Sequence, residues 1–279
     1  MKGYAMTSSI TRYCRIPVVF CAALAAATLL AGLAGCKTAG ATGGIEAGGK
    51  APVLKVGVSP NYPPIVFRQA GNIVGIEADL ARELGRELNR TIRFVEVEWD
   101  RQIDALLSGE TDIIMSAMTI TAARKVRVAF SNPYLTQGLM AMSRSRDAGK
   151  YDTLDKIKNA NVVFGAEPGS TAEVFVQHQC LKKFKIVPVA PKDAAFFVAS
   201  KRVDLLIHDG PAVMWMASEN EAELAAIPIM LNTELYGWGL RKGDEELLAS
   251  VNGALAKWIA DGTLNRIVGK WMPIAAPKP

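Results

Sequence analysis

Between Asp112 and Arg124 the chain reads Asp112-Ile113-Ile114-Met115-Ser116-Ala117-Met118-Thr119-Ile120-Thr121-Ala122-Ala123-Arg124. Hydroxyls at Ser116, Thr119 and Thr121 follow a short aliphatic run, and Arg124 comes round on the next turn. A planar guanidinium flanked by hydroxyls and free backbone N–H groups suits a carboxylate, because its fork bonds both oxygens at once. The alternative is a Thr121 N-cap with Arg124 turned to solvent. Further on, Glu167-Pro168-Gly169-Ser170-Thr171-Ala172-Glu173 opens a helix. Ser170 or Thr171 would cap it, and the free N–H groups there attract an anion; the plainer reading is a cap and nothing more. Asp209, just before Gly210-Pro211, can accept from an ammonium group or simply cap the next helix. An anion clamp and an ammonium acceptor together are the equipment for holding a zwitterion.

These residues sit at the ends of short strands. Asp112 onward is too short and too aliphatic for a helix, so it reads as a buried strand. Val53–Val58 and 92–97 read as further strands, and Gly71-Asn72 as a hairpin turn. Ile76 to Asn89 places Ile76, Leu80, Leu84 and Leu88 on one helical face, with Glu77, Asp79, Arg82, Glu83, Arg86 and Glu87 elsewhere. The spacing predicts a strand over 203–207, another over 235–240, and a helix over 245–260 burying Leu247, Leu248, Val251, Leu255, Trp258 and Ile259. A last helix ends at Trp271. Strands and helices alternate, so the class is α/β with mainly parallel pairing.

The chain also resembles itself. Leu107 to Ser116 can be laid against Val198 to His208 with one residue of slack, and Val56-Gly57-Val58-Ser59-Pro60 against Phe164-Gly165-Ala166-Glu167-Pro168. Each half would hold one strand ending in X-Pro and another starting at Asp. Ligands of open α/β sheets lie beyond the carboxyl ends of strands, so two such lobes would gather Ser59, Ser116, Glu167 and Asp209 around one cleft. Any two α/β units look alike at this level, which is the competing explanation.

The 279 residues, half of them hydrophobic, allow a large core and more than one lobe. The formal charge of +5 includes Lys2, Arg12 and Arg15 in a leader without acids; removing those three leaves +2. With no basic run in the remainder, nucleic acid is not an expected partner. Residues 1–35 have the layout of a secretory signal peptide: a positive start, an uncharged run from Ile16 to Gly35 and small residues at the cut. The alternative is an uncleaved membrane helix, for which the run is barely long enough and contains Pro17. Leu33-Ala34-Gly35-Cys36 resembles the lipobox of bacterial lipoproteins, in which the cysteine becomes the lipid-bearing N-terminus. That implies lipidation (palmitate) at Cys36 and a membrane anchor. Residues 36–52, rich in Gly, Ala and Thr, form a flexible tether. With Cys14 and Cys21 in the leader and Cys36 so used, Cys180 has no partner and no disulfide is expected. No metal spacing, nucleophile–base pair or phosphate-cradling loop stands out, so no cofactor or metal is expected. His178, Cys180 and His208 read as structural.

Taken in order, Val56 to Pro64, Gly75-Ile76-Glu77-Ala78-Asp79-Leu80-Ala81, the Asp112 stretch, Phe130-Ser131-Asn132-Pro133-Tyr134, Pro168 to Glu173, Tyr236 to Asp244 and Ala260 to Leu264 are similar to one family. It is that of the extracytoplasmic solute-binding proteins delivering polar amino acids to ABC importers. The resemblance runs from Val53 to Met272. It implies a two-lobed, type II periplasmic-binding-protein fold with two hinge crossings, near Tyr134 to Leu139 and Thr233 to Trp238. Lobe 1 would be 53–137 with 233–279, and lobe 2 would be 138–232. It further implies a monomeric, periplasmic, lipid-anchored subunit with an ABC permease as partner. Carried over residue by residue, Arg124 would clamp an α-carboxylate, helped by Thr119 and the N–H groups near Ser170 and Thr171. Asp209, with the Ser116 or Ala117 backbone, would take the α-ammonium. Tyr62 and Trp99 would sandwich the side chain, unless they are ordinary core. Ser59 stands where some members carry Asp, and Glu167 where others carry a neutral residue or Lys. That favours a donor-bearing ligand: arginine, lysine or glutamine. His208 before Asp209 is also a feature of glutamine binders. The enzymatic alternative on the same fold is a cyclohexadienyl dehydratase acting on arogenate or prephenate, with Glu173 as the acid.

Overall fold

The computed structural model describes residues 51–180 and 185–272. The expected signal peptide, Cys36 and the tether up to residue 50 lie outside the described residues. Pro52, placed by the sequence in the tether, already belongs to a sheet edge, where its carbonyl accepts from the Thr91 N–H at 2.8 Å. Among the described residues no helix is long and apolar enough to cross a membrane.

Two five-stranded sheets organise the body. The first runs Thr91–Glu96, Val53–Val58, Ile113–Ile114, Gly239–Leu240, Ala129–Phe130; the second runs Lys185–Pro188, Val163–Ala166, Leu205–Asp209, Leu139–Arg144, Leu224–Ile227. Strands of the first sheet all fall within 53–137 and 233–279, and those of the second within 138–232. The expectation of mainly parallel pairing needs correction. In each sheet the first three strands are parallel and the other two pairings are antiparallel. The reason is topological: Leu139–Arg144 and Gly239–Leu240 arrive straight from the crossing segments and need no helical return.

The crossings are themselves a strand pair, Leu135–Gln137 antiparallel to Glu234–Tyr236. The single strand expected over 235–240 is therefore two. One part pairs at the hinge and the other in the first sheet, with Gly237-Trp238 between them. A Cβ on Gly237 would meet Ile120 Cδ1 at 2.7 Å, so the chain can pass this close only without a side chain.

The internal resemblance extends to hydrogen bonds. Asp112 Oδ2 accepts from Lys55 N at 2.9 Å and Asp204 Oδ2 from Val163 N at 3.0 Å, at corresponding positions of the two sheets. Each aspartate also holds an arginine from the antiparallel neighbour. Arg241 bonds Asp112, Leu106 O and Thr111 O; Arg144 bonds Asp204, Val198 O and Val203 O. Both pairs of carbonyls stand six and one residues before their aspartate. The repeat is thus a buttress copied in both lobes.

Helices pack apolar faces on these sheets. The helix Glu245–Ala260 buries Leu247, Val251, Leu255 and Trp258, while Ile259, expected inside, is 57 % exposed because it falls off that stripe. The hairpin turn uses Ala70 and Gly71, with φ of 47° and 81°, one residue earlier than read. Glu77, assigned to the polar face of Ile76–Glu87, is fully buried.

Candidate functional site

The strand tips of both sheets face one cavity. Ser59, Tyr62, Trp99, Ser116, Ala117, Thr119, Arg124, Glu167, Ser170, Thr171 and Asp209 all line it, and Asn61, Ala172, Pro191 and His208 complete the wall. The space open to the centre of a water molecule is about 30 Å³, so the two walls stand close together.

Arg124 reaches the cavity because Thr121 caps its short helix. Thr121 Oγ1 accepts from Arg124 N at 3.2 Å, so the capping reading holds, but the guanidinium turns inward rather than to solvent. Nη1 donates to Thr119 O at 3.0 Å and Nη2 to Gly169 O at 3.2 Å, so one side chain touches both lobes. Its plane lies over the Trp99 ring, 5.0 Å from the centroid. Burial lowers its pKa, and the nearby charges of Asp209 and Glu234 work against that lowering. Ser170 caps the helix Thr171–Gln179, its Oγ accepting from Glu173 N at 3.2 Å.

Asp209 ends its strand in the wall of the cavity and caps nothing with its side chain. Burial, then the charge of Glu234, pushes its carboxyl up to about 7, against hydrogen bonds from Tyr62 and Tyr236 and the charge of Arg124. Tyr62 stands edge-on to His208 with centroids 5.3 Å apart, and its hydroxyl meets that of Tyr236 at 3.3 Å. It is therefore a wall with a polar tip, while Trp99 is only half-buried.

Glu167 is the other unusual acid. Burial raises its pKa to about 8, and the charges of Asp209, Glu98 and Asp100 add to the effect. His208 Nε2 lies 4.0 Å away but offers no charge, since burial holds that imidazole down to about 4. His208 Nδ1 accepts from Asp209 N at 2.7 Å, which puts the ring proton on Nε2. That buried nitrogen has no hydrogen-bond partner within the protein and borders the cavity. His208 is thus part of the wall, which its structural reading from sequence missed.

Other expected roles need adjusting. Ser59 lines the wall, but its hydroxyl donates to Val97 O at 2.8 Å and accepts from Gln102 Nε2 at 2.9 Å, so it is engaged within its own lobe. Its N–H donates to Ser116 Oγ at 2.9 Å. Thr119 and Thr171 donate their hydroxyls to Glu234 rather than towards the cavity. Glu173, the acid of the enzymatic alternative, accepts from Gly169 N at 2.8 Å, closes the turn before its own helix and does not line the cavity.

Two buried acids behind the wall were not singled out from sequence. Glu77 accepts from the Tyr134 hydroxyl, from Ala117 N at 2.9 Å and from Trp238 Nε1 at 2.9 Å. It thereby fixes Ala117, whose φ of 54° is left-handed, and ties the roots of both crossings to the wall. Burial outweighs those three donors and raises its pKa to about 7. Glu234 starts the second crossing strand. Its position beside Leu235 in a strand-like run gave no reason to expect it inside. Cys180 is a free, buried thiol pushed up to about 11 by burial, and no cluster of metal-binding side chains occurs among the described residues.

Several known proteins are similar to this chain over most of its length. The L-cystine-binding protein TcyJ of Escherichia coli K12 is 29 % identical over 223 residues, covering 78 % of this chain and 82 % of that protein. The ABC transporter arginine-binding protein 1 of the same strain is 28 % identical over 225 residues, covering 79 % and 90 %. The crystal structure of AncCDT-1, an ancestral amino acid-binding protein and precursor of cyclohexadienyl dehydratase, superposes with a TM-score of 0.73 at 33 % identity, covering 78 % of this chain and 95 % of that one. These relatives are binding proteins rather than enzymes. The model of the bacterial extracellular solute-binding proteins, family 3, matches residues 54–274, nearly the whole described body, and the chain belongs to that family.

Proposed function

We propose that this protein is the lipid-anchored substrate-binding subunit of an ABC importer and that its ligand is a cationic amino acid, arginine or lysine. Arg124 would take the α-carboxylate and Asp209 the α-ammonium. The observation that carries the choice of ligand is Glu167. It is a mostly buried carboxylate that lines the cleft together with Trp99; the charges of Asp209, Glu98 and Asp100 act on it, and the imidazole beside it is neutral. A guanidinium or ammonium at the end of a side chain would give that carboxylate the partner its burial demands. Similarity to an arginine-binding relative supports the same reading, and the lipobox-like Leu33 to Cys36 supports the anchor.

Calorimetry against arginine, lysine, histidine, glutamine and cystine tests it. Arginine or lysine should bind most tightly, and Glu167→Gln should weaken them at least tenfold more than it weakens glutamine, the loss of one charge-assisted bond of roughly 1.5–3 kcal/mol. Equal effects on cationic and neutral ligands would rule out the cationic assignment. The anchor is checked by mass spectrometry of the N-terminal peptide, which should carry acyl chains on Cys36.

A further inference from the structure

Glu234 does not line the cavity; it stands behind the wall. Its carboxylate is buried, and Oε2 accepts from Thr119 Oγ1 at 2.7 Å and from Thr171 Oγ1 at 3.1 Å. Oε1 accepts from Asn232 Nδ2 at 2.9 Å, and Asn232 Oδ1 in turn holds Leu139 N at 2.8 Å. Thr119 belongs to the segment that follows the strand Ile113–Ile114 of the first sheet, and Thr171 opens a helix of the second lobe; both line the cavity. One carboxylate oxygen therefore joins the two lobes through two hydroxyls that also border the ligand space.

A threonine hydroxyl carries one proton. While that proton goes to Glu234, it cannot go to a carboxylate in the cavity. Charge counting points the same way. For a cationic amino acid, Arg124 answers the carboxylate, Asp209 the α-ammonium and Glu167 the side chain. Glu234 has no counterpart on the ligand, yet its charge acts on both Arg124 and Asp209. We propose that Glu234 is a positioning residue that competes with the ligand's carboxylate for the hydroxyl protons of Thr119 and Thr171. It latches the lobes together until a ligand takes those protons over. The proposal rests on the cleft being the ligand site. Such a latch lowers affinity, because whatever stabilises the ligand-free protein must be given up on binding.

The full chain and its Glu234→Gln and Glu234→Asp variants decide the matter. The first removes the charge, and the second keeps it while shortening its reach by one methylene. In calorimetry with arginine and lysine both variants should bind roughly tenfold more tightly, since about 1.4 kcal/mol of latch no longer has to be broken. Hydrogen exchange of the ligand-free variants should be faster in peptides spanning 116–120 and 169–173. Weaker or unchanged affinity would overturn the competition and make Glu234 a support that persists in the complex. Unchanged exchange would overturn the latch. Should the unaltered chain bind no amino acid, the ligand assignment fails instead, and the exchange comparison still judges the latch.

Discussion

The raised acid at Glu167 makes ligand affinity a function of pH, and the size of the effect follows from its surroundings. With its carboxyl near 8, about one molecule in a hundred carries the charge at pH 6, one in ten at pH 7 and half at pH 8. A guanidinium or ammonium placed against it favours the charged form, so binding releases a proton throughout that range. Lysine or arginine should therefore bind roughly fifty-fold more tightly at pH 8 than at pH 6 through Glu167 alone. Asp209, near 7, adds up to about tenfold for any ligand with an α-ammonium. His208 is already neutral in this window, and the two ligands keep their side-chain charge.

The assay is calorimetry at pH 6, 7 and 8 in two buffers of different ionisation heat, which counts protons directly. Glutamine is the internal control. It should show the share due to Asp209 and lack that of Glu167, so the difference between lysine and glutamine isolates one carboxylate. Glu167→Gln should flatten the lysine profile onto the glutamine one. A lysine affinity that does not change between pH 6 and 8, with no proton release, would refute the reasoning: a cation would then not be meeting a neutralised acid.

The same groups set the stability of the ligand-free protein. Glu77, Asp209 and Glu167 all have folded pKa values above their ordinary ones, so their contribution is complete in acid and is lost as pH rises through 7 to 8. His208, held low, works in the opposite direction but only below about pH 6.5. The melting temperature without ligand should therefore fall between pH 6.5 and 8.5, by an amount corresponding to a few kcal/mol, and a saturating cationic amino acid should reduce the slope. Scanning calorimetry checks this. Arg144→Ala should cost about 3 kcal/mol in denaturant unfolding, because Asp204 and two carbonyls lose a largely buried partner; Arg241→Ala, at the more exposed copy of the buttress, should cost less.

The parts of the site legible in the sequence were local. Arg124 follows its hydroxyls by a fixed spacing, Ser170 precedes its helix, and Asp209 stands before a Gly-Pro break. Each can be placed from neighbours alone. The hidden parts depended on distant partners. Nothing within the Ile76–Glu87 helix distinguishes Glu77 from its exposed acidic neighbours; the donors that allow its burial come from Ala117, Tyr134 and Trp238. Glu234 defeats patterning more directly. On its strand the leucine at 235 is 42 % exposed while Glu234 and Tyr236 are buried, the reverse of a half-buried strand. The inside of a hinge beside a binding cleft is polar, so hydrophobic alternation reports the wrong face. Mixed pairing was invisible for a similar reason: strand direction at the crossings is set by which lobe the chain enters, not by local sequence.

The duplicated buttress explains how one plan yields an asymmetric grip. With Asp112 and Asp204 aligned, Ser116 corresponds to His208 and Ala117 to Asp209, while Ser59 corresponds to Glu167 in the other strand. The frame is held alike in both lobes by an arginine on an aspartate and two carbonyls. What differs is the tips. In the first lobe they are neutral, and the one charge that reaches the cavity is Arg124 on the following helix. In the second lobe two of the three corresponding tips are acids, Asp209 and Glu167, and the third is His208. A rigid frame fixes where the tips stand, so changing their side chains alters the charge pattern without moving the backbone. On the proposed reading the cleft therefore has a positive grip contributed by one lobe and acidic grips contributed by the other. On that reading, a ligand carrying one carboxylate and two cationic groups satisfies both sides at once, so recognition is set by the tips while the frame beneath them stays the same.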